Sequence, residues 1–224
     1  MKGRSRRFFV SNDDYYEPGI VAITGHRDYP DRAALYRGLD RMSAKQYYFG
    51  GARGVDSDAL RHLSRTQPGS VRTVVVPNRL IDQPRAAQIA IKRYATKVIE
   101  LRNSGPDRYM IRNRYIVDRS NRVNAFYDFR GKGGTYNTIE YARTKGKLGT
   151  VTSLKEYNSN DFKNMSKPEL NRTLKEMKRY KVDVSGMKQL LLEIIKSVYR
   201  VTVHDFFLEL GYSGCKTLEE FWLR

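Results

Sequence analysis

The sequence predicts an α/β protein: a doubly wound, mostly parallel sheet followed by a small helical domain. Between residues 19 and 154, short runs rich in β-branched and aromatic residues alternate with longer stretches whose apolar residues recur at helical spacing. After residue 165 only helical spacing remains. Connections long enough to hold a helix force neighbouring strands to run parallel, and Val74–Val76 is apolar on both faces, as a strand covered by helices on both sides must be.

In chain order, strands are expected at 19–25 (GIVAITG), 47–51 (YYFGG), 71–77 (VRTVVVP), 96–101 (TKVIEL) and 122–129 (RVNAFYDF), with a sixth at 148–154 (LGTVTSL). The intervening segments 29–44, 55–65, 83–95, 106–120 and 135–147 read as helices. The arrangement is Rossmann-like, spanning residues 19–154 after a basic N-terminal arm (1–18). Residues 155–165 are polar and read as a linker. The C-terminal unit, 166–224, opens with a capping box in which Ser166 is the N-cap and Glu169 lies three residues on; Leu170, Leu174 and Met177 then share one face. Met187, Leu190, Leu191, Ile194, Ile195 and Val198 form a wider stripe. Two short helices follow, one stopped by Gly211 and one opened by Thr217 with Glu220. The last carries more acid than base, which argues for packing or homo-oligomer formation rather than DNA readout.

Of the 224 residues, 42 are Lys or Arg and 24 are Asp or Glu, a formal charge of +18, and most of the excess lies between residues 21 and 150. A field of that sign favours phosphorylated small molecules or nucleic acid, although arginines also serve simply to solvate helix faces. Cys215 is the single cysteine and the histidines are His26, His62 and His204, so neither a disulfide nor a metal-ligand spacing is present, and no metal or other cofactor is expected. No apolar stretch approaches the roughly 18 residues needed to cross a bilayer. The expectation is a soluble protein without a membrane partner, cytoplasmic or, for a viral chain, in the host cytoplasm.

Doubly wound sheets bind ligands where the carboxyl ends of strands turn into helices, and three such turns here are rich in glycine. They are Thr24-Gly25-His26-Arg27, Gly50-Gly51-Ala52-Arg53-Gly54 and Gly131-Lys132-Gly133-Gly134-Thr135. Glycine permits positive φ and lets an anion approach the main chain, so the three turns together are expected to form a phosphate cradle. Asp56 is read as the cap of the helix after the second turn. Tyr47, Tyr48, Tyr109, Tyr115 and Tyr136 fall near the turns, as stacking surfaces for single-stranded DNA or RNA or as half-buried core.

The segments TGHRDYPDRAALYRGLDRM, GGARGVDSDAL, IRNRYIVDRS and FYDFRGKGGTYNTIEYARTKGK resemble the four blocks of the SLOG superfamily, which includes the DNA-processing protein A group, the LOG phosphoribohydrolases and the YspA/YpsA-related branch, the most similar of the three. The resemblance spans about residues 19–150 and leaves the helical tail unexplained. It implies a nucleotide-binding Rossmann-like domain in which Gly25, Arg27, Gly50, Gly51, Arg53, Gly54, Arg112, Asn113, Gly131, Gly133, Gly134 and Thr135 face a phosphate or sugar phosphate. The residues themselves add Thr24, His26 and Lys132. Arg112 has the clearest physical case, because a guanidinium grips phosphate bidentately; surface ion pairing is its ordinary alternative.

This chain departs from the LOG pattern PGGxGTxxE, whose glutamate helps cleave an N-glycosidic bond: Thr138 stands at that place, and Glu140 is rotated by about 200° along the helix. Catalytic candidates are therefore thin, namely Arg112 and Glu140, unless Asp28 or Asp128 reaches in. The leading expectation is binding of a nucleotide or nucleotide-derived ligand. The alternatives are a nucleoside-monophosphate phosphoribohydrolase and a single-stranded nucleic-acid binder.

Overall fold

The computed structural model describes residues 19–29, 32–129, 131–154, 164–179, 192, 195–196 and 202–209. Six strands form one sheet: β1 (Ile20–Gly25), β2 (Gln46–Phe49), β3 (Val71–Val76), β4 (Lys97–Glu100), β5 (Arg122–Tyr127) and β6 (Leu148–Ser153). Every pairing is parallel, and the order across the sheet is β4-β3-β2-β1-β5-β6. The chain thus builds outward from β1 to one edge, returns, and continues on the other side. β1 and β5 flank the place where strand order reverses.

Helices α1 (Arg32–Asp40), α2 (Val55–Thr66), α3 (Arg85–Tyr94), α4 (Arg108–Arg119) and α5 (Gly134–Thr144) fill the connections. Alternation along the strands divides the core into two layers. Val21, Ile23, Tyr47, Phe49, Val74 and Val76 pack with Leu35 and Leu39 of α1, Leu60 and Leu63 of α2 and Ile91 of α3. On the opposite face Ala22, Tyr48, Val75 and Val123 meet Ile116 and Val117 of α4 and Ala142 of α5. The doubly wound fold expected from the sequence is the fold observed. Val74, Val75 and Val76 are each fully buried, as a strand between two helical layers requires. By contrast β4 is an edge strand, with Lys97, Val98 and Glu100 exposed.

Beyond the sheet lie α6 (Lys167–Arg179) and α7 (Val203–Glu209). Glu169 accepts the Ser166 amide at 2.9 Å, half of the expected capping box; the Ser166 hydroxyl turns to the same carboxylate at 2.8 Å. Leu170, Leu174 and Met177 are fully buried along one face, as their spacing predicts. Arg179 ties α6 to α5 through Glu140, at 2.6 Å. Thr202 caps α7, its hydroxyl accepting the Asp205 amide at 3.1 Å. Ile195 is buried. The rest of its expected stripe, the N-terminal arm, most of the linker, Gly211, Cys215 and the helix expected from Thr217 lie outside the described residues. Among the described residues no helix is long and apolar enough to cross a membrane.

Candidate functional site

A cavity of about 580 Å³ opens where the strand order reverses, between the carboxyl ends of β1 and β5 and the helices α4 and α5. Segments distant in sequence converge on it. Thr24, Gly25, His26 and Arg27 come from the turn after β1, Gly50 from the turn after β2, and Lys132, Gly133, Gly134 and Thr135 from the turn into α5. Arg112 and Asn113 face it from α4. Ala22, Ile116 and Val123 give it an apolar floor continuous with the core. Gly51, Arg53, Gly54 and Gly131 belong to the same turns but do not line the cavity.

The glycines do different work. Gly54 has φ +80°, and a Cβ there would collide with the Arg27 carbonyl; the turns after β1 and β2 are pressed together, with the Val55 amide donating to the His26 carbonyl at 3.0 Å. Gly51 likewise abuts Val74 and Ile91. At Gly50 a Cβ would strike the Arg112 guanidinium and the Asp56 carboxylate. The second turn is thus compressed against the protein's own side chains rather than held open for an anion. Gly133 is the contrary case: φ is +95°, and a Cβ would meet nothing within 4 Å. The open part of the rim is the start of α5.

Asp56 is not the N-cap of α2. Gly54 occupies that position, while Asp56 lies in the first turn and accepts the Ala52 amide at 3.0 Å. Asp56 and Arg112 are both buried and sit together beneath Gly50. Burial pushes the Asp56 carboxyl above its ordinary range, against the opposing pull of Arg112 and of the turn's amides. Burial also draws the Arg112 guanidinium below its usual value, with Asp56 opposing. Arg112 thus reaches the cavity wall with a buried carboxylate nearby that offsets part of its charge. The sequence did carry a signal: Asp56 falls in the same helical stripe as Ala59, Leu60 and Leu63, all buried, so the apolar face of α2 contains a charge that needs a partner.

Asn113 connects the two helices. Its side-chain oxygen accepts Arg112 Nε at 2.8 Å, and its amide donates to the Thr138 hydroxyl at 2.8 Å, which in turn donates to the Gly134 carbonyl at 2.8 Å. Thr138 completes a chain that fixes the first turn of α5. Glu140 points elsewhere: it pairs with Arg143 at 3.0 Å and Arg179 at 2.6 Å and does not line the cavity, which removes it as a candidate for chemistry there.

His26 is buried at the cavity wall, its ring stacked on Tyr127 with centroids 5.3 Å apart. Its Nε2 lies 2.8 Å from Asp128 Oδ1, close but too poorly aligned for a hydrogen bond. Tyr127 Oη accepts the Gly131 amide, anchoring the last glycine turn to β5. Burial raises the Tyr127 phenol well above its ordinary pKa.

Of the five tyrosines near the turns, Tyr47 and Tyr48 are buried core residues. Tyr115 lies under the Arg119 guanidinium, and Tyr136 is tilted against Tyr127. Tyr109 is the exception: it lines the cavity and is 42% exposed.

The site is therefore a cleft in a doubly wound α/β protein, with cationic Arg27 and Lys132 at its rim and the start of a helix open to it. A scan against protein-family models finds no match, and no curated protein shows significant sequence similarity to the chain.

Proposed function

We propose that the protein binds a nucleotide or a nucleotide-derived ligand in this cleft, as the motif resemblance to the SLOG superfamily implies, with the phosphate at the N-terminus of α5. The observation that carries the proposal is the open rim at Gly133 and Gly134, where main-chain amides of the first helical turn, free of intrahelical partners by geometry, meet Lys132 at the mouth of the cavity. The corresponding end of α2 offers less, because Asp56 and Asp58 already place negative charge in its first turn. Among the described residues two carboxylates line the cavity: Asp56, buried beside Arg112 and accepting the Ala52 amide, and Asp28, exposed at the turn after β1; Glu140 lies outside it and is directed to arginines.

A panel of nucleoside mono-, di- and triphosphates, cyclic nucleotides and dinucleotides tests the proposal by thermal denaturation. At least one member raises the melting temperature, because a ligand that binds only the folded state stabilises it. Lys132→Glu abolishes the shift without lowering the unliganded melting temperature appreciably, since Lys132 is exposed. No shift with any member overturns the proposal.

A further inference from the structure

The cavity-facing stripe of α4 consists of Tyr109, Arg112, Asn113 and Ile116, at the i, i+3, i+4 and i+7 spacing of one helical face. The three inner members have evident work: Ile116 closes the floor, Arg112 is buried and donates to the Asn113 side chain and the Val75 carbonyl, and Asn113 holds α5. Tyr109, at the outer end, has no comparable packing role. It remains 42% exposed at the mouth, yet its ring is not free to wander: the Arg108 guanidinium lies 4.9 Å from the ring centroid and that of Arg27 5.6 Å. Arg108 comes from the same turn and Arg27 from the turn after β1, so the cluster spans the mouth from one wall to the other. Cations near an aromatic ring hold it electrostatically and are themselves flat stacking surfaces.

We infer that the Tyr109 ring and the Arg27 and Arg108 guanidinium groups gathered over it form one stacking platform for a planar heteroaromatic base, with Tyr109 at its centre. The inference rests on the phosphate-binding reading above and specifies the ligand further. A phosphate at the α5 rim and a ring against Tyr109 would use two walls of the same cleft, which selects a nucleotide over a plain sugar phosphate. An aromatic side chain has few rotamers to lose on binding, so a pinned, half-exposed tyrosine is well suited to that task. Stacking tolerates any base, because each has a π-face; Tyr109 therefore discriminates base from no base rather than one base from another.

The test measures dissociation constants for the four nucleoside 5′-monophosphates and for ribose 5-phosphate, with the wild type, Tyr109→Phe and Tyr109→Ala. In the wild type the tightest nucleotide binds on the order of 10-fold or more better than ribose 5-phosphate. Tyr109→Phe keeps that ratio, while Tyr109→Ala collapses it towards one and leaves ribose 5-phosphate affinity unchanged. If Tyr109→Ala weakens both ligand types equally, or neither, the stacking role is refuted while phosphate binding stands. Binding of ribose 5-phosphate as tightly as every nucleotide in the wild type also refutes it. If neither these ligands nor any member of the wider nucleotide panel binds, the phosphate-binding reading fails and this inference with it.

Discussion

Arg112 and Asp56 illustrate how a single residue's role changes once its neighbours are known. The sequence reads Arg112 as a phosphate grip and Asp56 as a helix cap; in the fold they are opposed charges buried side by side, in space left by the missing side chain of Gly50. Removing one member of such a pair leaves an uncompensated charge in the interior and costs about 3–5 kcal/mol, whereas replacing both with apolar groups of similar volume is often tolerated. Asp56→Ala and Arg112→Met should therefore each lower stability strongly. The double variant Asp56→Ala/Arg112→Met should be much more stable than the sum of the singles implies, as measured by urea denaturation in a double-mutant cycle. Additive losses would show that the two charges do not compensate each other.

At the scale of elements, strands and helices were legible because glycine and proline punctuate a clear change of period, from alternation in the strands to 3.6 in the helices. The observed ends differ from the expected ones by only a few residues: the strand expected to run through Gly50 and Gly51 stops at Phe49, because the chain must turn to pass beneath the His26 carbonyl. Less legible was which glycine turn stays open. That depends on β1 lying between β2 and β5, which presses the turns after β1 and β2 together and leaves the start of α5 uncovered. The clasp between α1 and the start of α2 was equally hidden, since it joins residues far apart in sequence: Tyr29 donates its hydroxyl to Asp58 at 2.6 Å, and Arg32 and Arg61 lie 3.3 and 3.4 Å from the same carboxylate. Burial, the bond to Asp58 and the charge of Asp58 raise the Tyr29 phenol well above its ordinary pKa. A folded-state value above the unfolded one means that this contribution is complete below about pH 10 and is lost as the pH climbs beyond it. Denaturation curves recorded across the alkaline range should show the wild type losing stability more steeply than Tyr29→Phe, which starts lower at neutral pH but has no phenol to ionise there. Parallel slopes would contradict the assignment.

For the molecule as a whole, the charge of +18 and the reversal of strand order point in the same direction: a basic field leading to a cleft whose open rim presents main-chain amides. Composition made the sign of the charge visible from the start, and the order of the glycine turns pointed to the edge of the sheet at which the cavity lies. What composition could not reveal was that part of the expected cradle is filled by the protein itself, because burial of Arg112 depends on the packing of α4 against β1 and β3. The central claim is that phosphate binds at the start of α5 rather than at the compressed turn after β2. The most direct measurement is a crystal structure with the most stabilising nucleotide of the panel. The account predicts its phosphate within hydrogen-bonding reach of the Gly134 and Thr135 amides and Lys132. A phosphate found at the turn after β2, or anywhere outside this cleft, would contradict it.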